Sequence, residues 1–381
     1  MKSMNADTVR RVGLSLAAPA LAIILSLAIT SAVLAAAGND PFDTFKQMIE
    51  YAKEPRTTAM IINGSVTYYF AALAVAFGFR MNLFNIGVDG QYRLAAMLAA
   101  AVGGAVSLPP ILHVGLILLV AVLVGGLWAA VAGLLKVYRG VSEVISTIML
   151  NSITTALIAF LLTTDKLAVQ AEGSNNIGTK PIPASGQVPG IGLVPDSPLK
   201  VYGLIVLAVI VGFLYWFVIE HSRFGFDLRA AGRNEEAAVA SGVNVKRMIL
   251  ISMAVSGGIA GLVGMPQLLG SSYTYSLDFP AGIGFTGIAI ALLGRNTALG
   301  VAIGALLFGF LDNSSQILDL EGVPKEIVMI TQGVIVLSVV IAYELVRRYR
   351  IVAQQREVGR RLSEPPAPAA GNDKTPQGAQ A

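Results

Sequence analysis

The side chains of this sequence that could do chemistry are few, and they are set among long apolar runs. Asp89 lies within Asn82-Leu-Phe-Asn-Ile-Gly-Val-Asp-Gly-Gln-Tyr92, a polar start to an otherwise apolar stretch, and Arg93 follows it at i+4. A carboxylate at the centre of a membrane helix costs at least about 2.5 kcal/mol unless it is paired or faces water. Two readings fit: an ion pair with the acid first on one helix face, or a group lining a path for a polar solute. The amides of Asn63, Asn85, Gln91 and Asn151 occur in similar settings, where each needs a partner on another helix or on a bound hydroxyl. Glu143 opens another apolar run, where a carboxylate in the first turn is stabilised by the helix dipole. Tyr68 and Tyr69 add rings and hydroxyls and suit an interfacial anchor equally well. With no cysteine, and with His113 and His221 as the only histidines, no catalytic residue, metal site or cofactor is expected.

Of the 381 residues 55% are hydrophobic and 13% charged, against about 25% charged in a soluble domain. The mean hydropathy of +0.69 is spread along the chain rather than concentrated in one anchor. A membrane crossing needs about 20 apolar residues as a helix, because lipid offers the backbone no other hydrogen-bond partner. Ten stretches are predicted: 12–37, 59–79, 83–106, 111–135, 141–163, 199–219, 248–270, 280–294, 297–312 and 326–346. The eighth and ninth are short and glycine-rich, so one broken span is an alternative. The first has the basic start of a signal peptide but an apolar run longer than about 15 residues, which predicts an uncleaved anchor. The fold class is therefore all-α and polytopic, with 40 glycines suited to close helix packing in lipid and no nucleic-acid partner expected.

With the N-terminus in the cytoplasm, 19 of the 27 Lys and Arg residues fall inside, seven fall outside, and Arg93 lies within a span. The positive-inside rule thus predicts an even number of crossings in the inner membrane with both termini cytoplasmic. A transmembrane domain over 1–346 would carry an external loop at 165–198 and a cytoplasmic loop at 220–247. Residues 347–381 would form a cytoplasmic, mostly disordered tail, since Ser363 to Ala381 lacks apolar surface to bury.

The centre of the cytoplasmic loop reads Gly232-Arg-Asn-Glu-Glu-Ala-Ala-Val-Ala-Ser-Gly242. Asn234 can cap a short helix, Glu235 and Glu236 favour its positive end, and Gly242 can terminate it in the left-handed conformation. So short a helix is unstable in water unless it packs on a surface. Glu236-Ala237-Ala238 with Gly242 four residues on resembles the EAA loop of ABC-importer permeases, which docks in a cleft of the ATPase subunit. The chain itself has no G-x-x-x-x-G-K-[ST] phosphate loop, so ATP hydrolysis is assigned to a separate ATP-binding cassette subunit.

The Asn82–Tyr92 string resembles the Asn-Ile-Gly-x-[Asp/Glu]-Gly-Gln signature of the nucleoside and simple-sugar branch of the branched-chain-type ABC permeases. Glu143–Asn151, Ser256–Gly264 and Gly284–Asn296 agree with the same family, so the resemblance runs from about Thr57 to Arg348. It implies a non-enzymatic permease subunit, nucleosides ahead of sugars, a second permease forming a heterodimer, an extracytoplasmic substrate-binding protein and membrane lipids as partners. Ile86-Gly-Val-Asp-Gly90 and Ile283-Gly-Phe-Thr-Gly287 share a frame, as expected of inverted repeats whose interrupted helices flank a substrate path. That places Phe285 and Thr286 beside Asn63, Asn85, Asp89, Gln91 and Asn151 as path candidates. An ion-coupled secondary transporter is the competing class; it needs no docking loop and would draw on more intramembrane carboxylates than Asp89.

Overall fold

The computed structural model describes residues 21, 24–170, 176–320 and 326–363. Its helices are α1 (Ile24–Ala36), α2 (Pro41–Ala52), α3 (Pro55–Phe79), α4 (Val88–Ala105), α5 (Pro110–Arg139), α6 (Glu143–Leu161) and α7 (Ile205–His221). They continue with α8 (Arg223–Arg233), α9 (Glu235–Ala240), α10 (Val245–Gly261), α11 (Met265–Gln267), α12 (Ile283–Leu293), α13 (Ala298–Leu320) and α14 (Glu326–Ser363). The chain divides into a unit of residues 26–337 and a second of residues 1–25 with 338–381. The bundle core and the polar sites belong to the first.

Six described helical segments are long and apolar enough to cross a membrane, and two bent pairs, α1 with α2 and α7 with α8, raise the number to as many as eight. Further apolar helices, α12 among them, stand beside these, and the all-α polytopic fold is as expected. An apolar run does not reveal where the backbone breaks: α12 has 11 residues, about 16 Å of helix, roughly half of a 30 Å hydrocarbon core. Gly294 ends it, and a turn with left-handed Arg295 and Asn296 leads into α13, so the stretches at 280–294 and 297–312 are two helices. The first predicted span lies partly outside the described residues. Its described part turns through 110° into α2, an amphipathic helix not foreseen, whose first amides are capped by Asp40.

The centre of the bundle is α3, buried on all sides from Phe70 to Phe77, the pattern of a helix apolar around its whole circumference. It packs on α4, α7, α10, α12 and α13. Beside it α5 and α10 cross at glycines: a Cβ on Gly261 would lie 2.0 Å from the Ala121 carbonyl oxygen. Small residues of this kind let backbones meet where lipid supplies no hydrophobic drive. A second apolar cluster joins Leu34, Met48, Leu311, Leu318, Ile327 and Val328.

The polar segment after α6 is ordered where described. Strands β1 (Ala168–Gln170) and β2 (Ile177–Thr179) form an antiparallel hairpin with Ala168 opposite Thr179, and the Thr179 amide donates to the Tyr275 carbonyl. Helix α14 runs past residue 346, where the tail was expected to begin, as far as Ser363; residues 364–381 lie outside the described residues.

Candidate functional site

The polar string Asn82–Tyr92 is a break between two helices. Asn82 adopts the left-handed conformation (φ 58°), the chain turns, and α4 restarts at Val88. Asn85 within the string, with Ser256, Asn151 and Glu143 from elsewhere, holds this turn. Asn85 is 1% exposed: its Nδ2 donates to Gln91 Oε1 and Ser256 Oγ, each at 2.9 Å, and its Oδ1 accepts from the Gly87 amide. Asn151 of α6 donates to the Ile86 carbonyl (3.0 Å) and accepts the Gly90 amide (2.9 Å). Glu143 pairs with Lys136 at 2.6 Å and accepts the Phe84 amide. Asn85, Asn151 and Glu143 each give at least one bond to this irregular backbone, which lipid could not satisfy.

Asp89 then joins this half of the molecule to the other. Its Oδ1 accepts the Gly282 amide at 2.7 Å and, less directly, the Gly284 amide at 3.4 Å, so the carboxylate caps the N-terminus of α12. Its Oδ2 lies 3.8 Å from Arg93 Nη1. The neighbouring Tyr92 hydroxyl donates to the Pro280 carbonyl. A Cβ on Gly284 would stand 2.4 Å from the Asp89 nitrogen, so only glycine permits the contact. The two I-G-x-x-G motifs thus meet face to face, each opening a helix, and a negative charge sits at the positive end of the second. Capping of α12 adds a role to the Arg93 pairing, and Asp89 is not among the residues lining the adjoining cavity.

That cavity, of about 780 Å³, opens at the end of the bundle carrying the 165–198 loop. Helix α3 contributes Asn63, Thr67 and Tyr68, the segment leading from the loop to α7 contributes Lys200 and Tyr202, α13 contributes Asp312 and Asn313, and Gln267, Tyr273 and Ile283 also line the wall. Asn63 clamps the loop, donating to the Lys200 carbonyl (3.1 Å) and accepting the Tyr202 amide (2.8 Å). The Tyr68 hydroxyl donates to Asp312 Oδ2 at 3.1 Å. A volume of this size suits a small polar solute.

At the other end of α7, α8 and α9 form a compact corner. Asn234 Oδ1 accepts the Ala237 amide at 2.9 Å, and Glu235 and Glu236 occupy the first turn. The end closes with Gly242 at φ +83°, its amide donating to Val239 and that of Val243 to Ala238, the paired bonds of a Schellman motif. Ala238 is buried beneath; Asn234, Glu236, Ala237, Val239 and Gly242 are exposed. On α8, a Cβ at Gly232 would lie 2.8 Å from the Arg80 carbonyl oxygen, so this corner rests on the turn leading into the Asn82–Tyr92 break. Arg80 also pairs with Glu220 at 3.1 Å.

Of the path candidates, Asn63 therefore lines the cavity, whereas Asn85, Gln91 and Asn151 hold the break and Asp89 holds the junction. Phe285 and Thr286, in the first turn of α12, do not line the cavity, and Phe285 is 53% exposed. Sequence reading missed Asp312. Its signal was the run Asp312-Asn-Ser-Ser315 within the apolar stretch of α13, obscured because the predicted ninth span ended at that aspartate. The coupling candidates Gly232, Asn234, Glu236, Ala237, Ala238 and Gly242 do come together in one corner.

Residues 57–340 match the family described as the permease component of the branched-chain amino acid transport system. The chain belongs to this permease family. The guanosine ABC transporter permease protein NupP of Bacillus subtilis is 35% identical over 86% of this chain and 93% of its own. The glucose ABC transporter permease protein TsgB13 of Haloferax volcanii is 31% identical over 93% and 94%, respectively. The nucleoside ABC transporter permease protein NupB of Lactococcus lactis is 28% identical over 85% of this chain and 90% of its own. No solved structure matches the chain. The permease is a multi-pass membrane component of an ABC transporter, and a transport subunit rather than an enzyme.

Proposed function

We propose that the permease imports a nucleoside, with a simple sugar as the second choice, and that α9 receives the stroke of a cytoplasmic ATPase. The observation that carries this reading is the exposed, doubly capped α9, carried by α8, whose Gly232 sits on the turn at Arg80. A displacement of α9 would pass through that turn into the break at Asn82–Tyr92, and through Asp89 into α12. Rigid backbone contacts transmit motion where an isolated two-turn helix could not.

The distribution of basic residues supports a cytoplasmic α8–α9 corner, cytoplasmic termini and an external 165–198 loop. The cavity then opens to the side from which an extracytoplasmic binding protein delivers solute, and a second permease completes the channel. The family description names branched-chain amino acids, but the guanosine and nucleoside relatives support a nucleoside. The cavity wall agrees, since tyrosines and amides outnumber the aliphatic side chains that leucine or valine would require. Purification of the tagged chain from its native membrane in mild detergent is expected to recover an ATP-binding cassette subunit and a second permease. Recovery of the chain alone, as a stable homogeneous species, would contradict the importer reading.

A further inference from the structure

Asp312 is a carboxylate of a candidate membrane span that the helix break, the helix junction and the coupling corner all leave unused. It lines the cavity with its side chain exposed there, and its Oδ2 accepts the Tyr68 hydroxyl. Oδ1 has no hydrogen-bond donor among the described residues. A carboxylate of this kind stays in a membrane helix only where it faces water or a ligand. The remaining charge on the wall is Lys200, of opposite sign, which makes the cavity balanced overall and suited to an uncharged solute. The polar groups around it belong to Tyr202 and Ser271, whose hydroxyls lie 3.2 Å apart, and to Gln267 and Asn313.

We infer that Asp312, oriented by Tyr68, is a solute-binding residue that accepts the vicinal hydroxyls of a ribose. The inference rests on the nucleoside reading and deepens it. A carboxylate is acceptor-only and takes two donors side by side, as a cis-diol presents them. Tyr68 fixes one oxygen and leaves the other toward the cavity. The tyrosine rings nearby offer apolar faces to the sugar or base.

The natural absence of cysteine provides the test. With Ser271→Cys in the assembled permease–ATPase complex in nanodiscs, and no binding protein added, the rate of maleimide labelling of this chain reports occupancy of the cavity. Guanosine is expected to slow labelling, and 2′,3′-dideoxyguanosine to need about ten- to hundredfold more for equal protection, the ratio set by a hydrogen bond to a charged group. Asp312→Asn keeps an oxygen for Tyr68, and in it the two nucleosides are expected to protect equally. Equal protection by both in the parent protein would overturn the proposal without any further variant. A discrimination that survives Asp312→Asn would also overturn it. Uptake of guanosine by the wild-type complex with its binding protein tests the nucleoside reading separately. Uptake without cavity protection sinks the Asp312 site alone, and absence of uptake sinks both.

Discussion

At the scale of single residues, the polar groups of the Asn82–Tyr92 string are spent on contacts within the protein. Asp89 is the clearest case, since one oxygen caps α12 and the other faces Arg93. Asp89→Ala would leave two amides uncapped and an intramembrane guanidinium unpaired, a loss of about 3 kcal/mol or more. Folded yield in detergent and melting temperature are expected to fall sharply, with Asp89→Asn milder because an oxygen remains for the Gly282 amide. Wild-type melting and wild-type uptake in Asp89→Ala would show that the cap is dispensable. Asn63 offers a contrasting test: Asn63→Ala removes both bonds to the loop at 200–202, and faster proteolysis of the 165–198 segment is expected while the bundle stays folded. Unchanged cleavage would mean the loop is held elsewhere. The sequence pointed to all these residues as polar groups needing partners. It did not show which partners were backbone, because the contacts of Asn151 with Ile86, and of Asp89 with Gly282, span 65 and 193 residues.

Among the elements, α9 was the most legible from sequence. Its start signal at Asn234 and its stop at Gly242 are local, and both appear in the structure as hydrogen bonds to adjacent backbone. Its seating was illegible, because the contact of Gly232 with Arg80 depends on tertiary packing. Gly242→Val places a β-branched residue at φ +83°, a strain of about 1–2 kcal/mol in the closing turn of α9. Reduced uptake and weaker ATPase retention, with normal membrane insertion, are expected. Normal uptake and retention would remove α9 from the coupling pathway. The stretch holding α12 already read as short, but its start at Ile283 was hidden, since hydropathy reports apolar composition and not where a helix begins. Only the repeated I-G-x-x-G frame hinted that the two interrupted helices belonged together.

For the whole molecule, composition alone identified a polytopic helical protein, while the proposed orientation rests on where Lys and Arg fall. Gly192→Cys, in open space within the 165–198 loop, is expected to react with a membrane-impermeant thiol reagent on intact cells. Lys246→Cys, exposed at the start of α10, is expected to react only after lysis. The opposite pattern would put the α9 corner outside. The most direct test reconstitutes the permease with its partner permease and ATPase in proteoliposomes and measures labelled guanosine uptake with the binding protein outside and ATP inside. Accumulation that requires hydrolysable ATP and stops when Gly242, at the proposed coupling corner, is replaced by valine is the predicted result. Accumulation driven by a proton or sodium gradient with no ATPase present would contradict it.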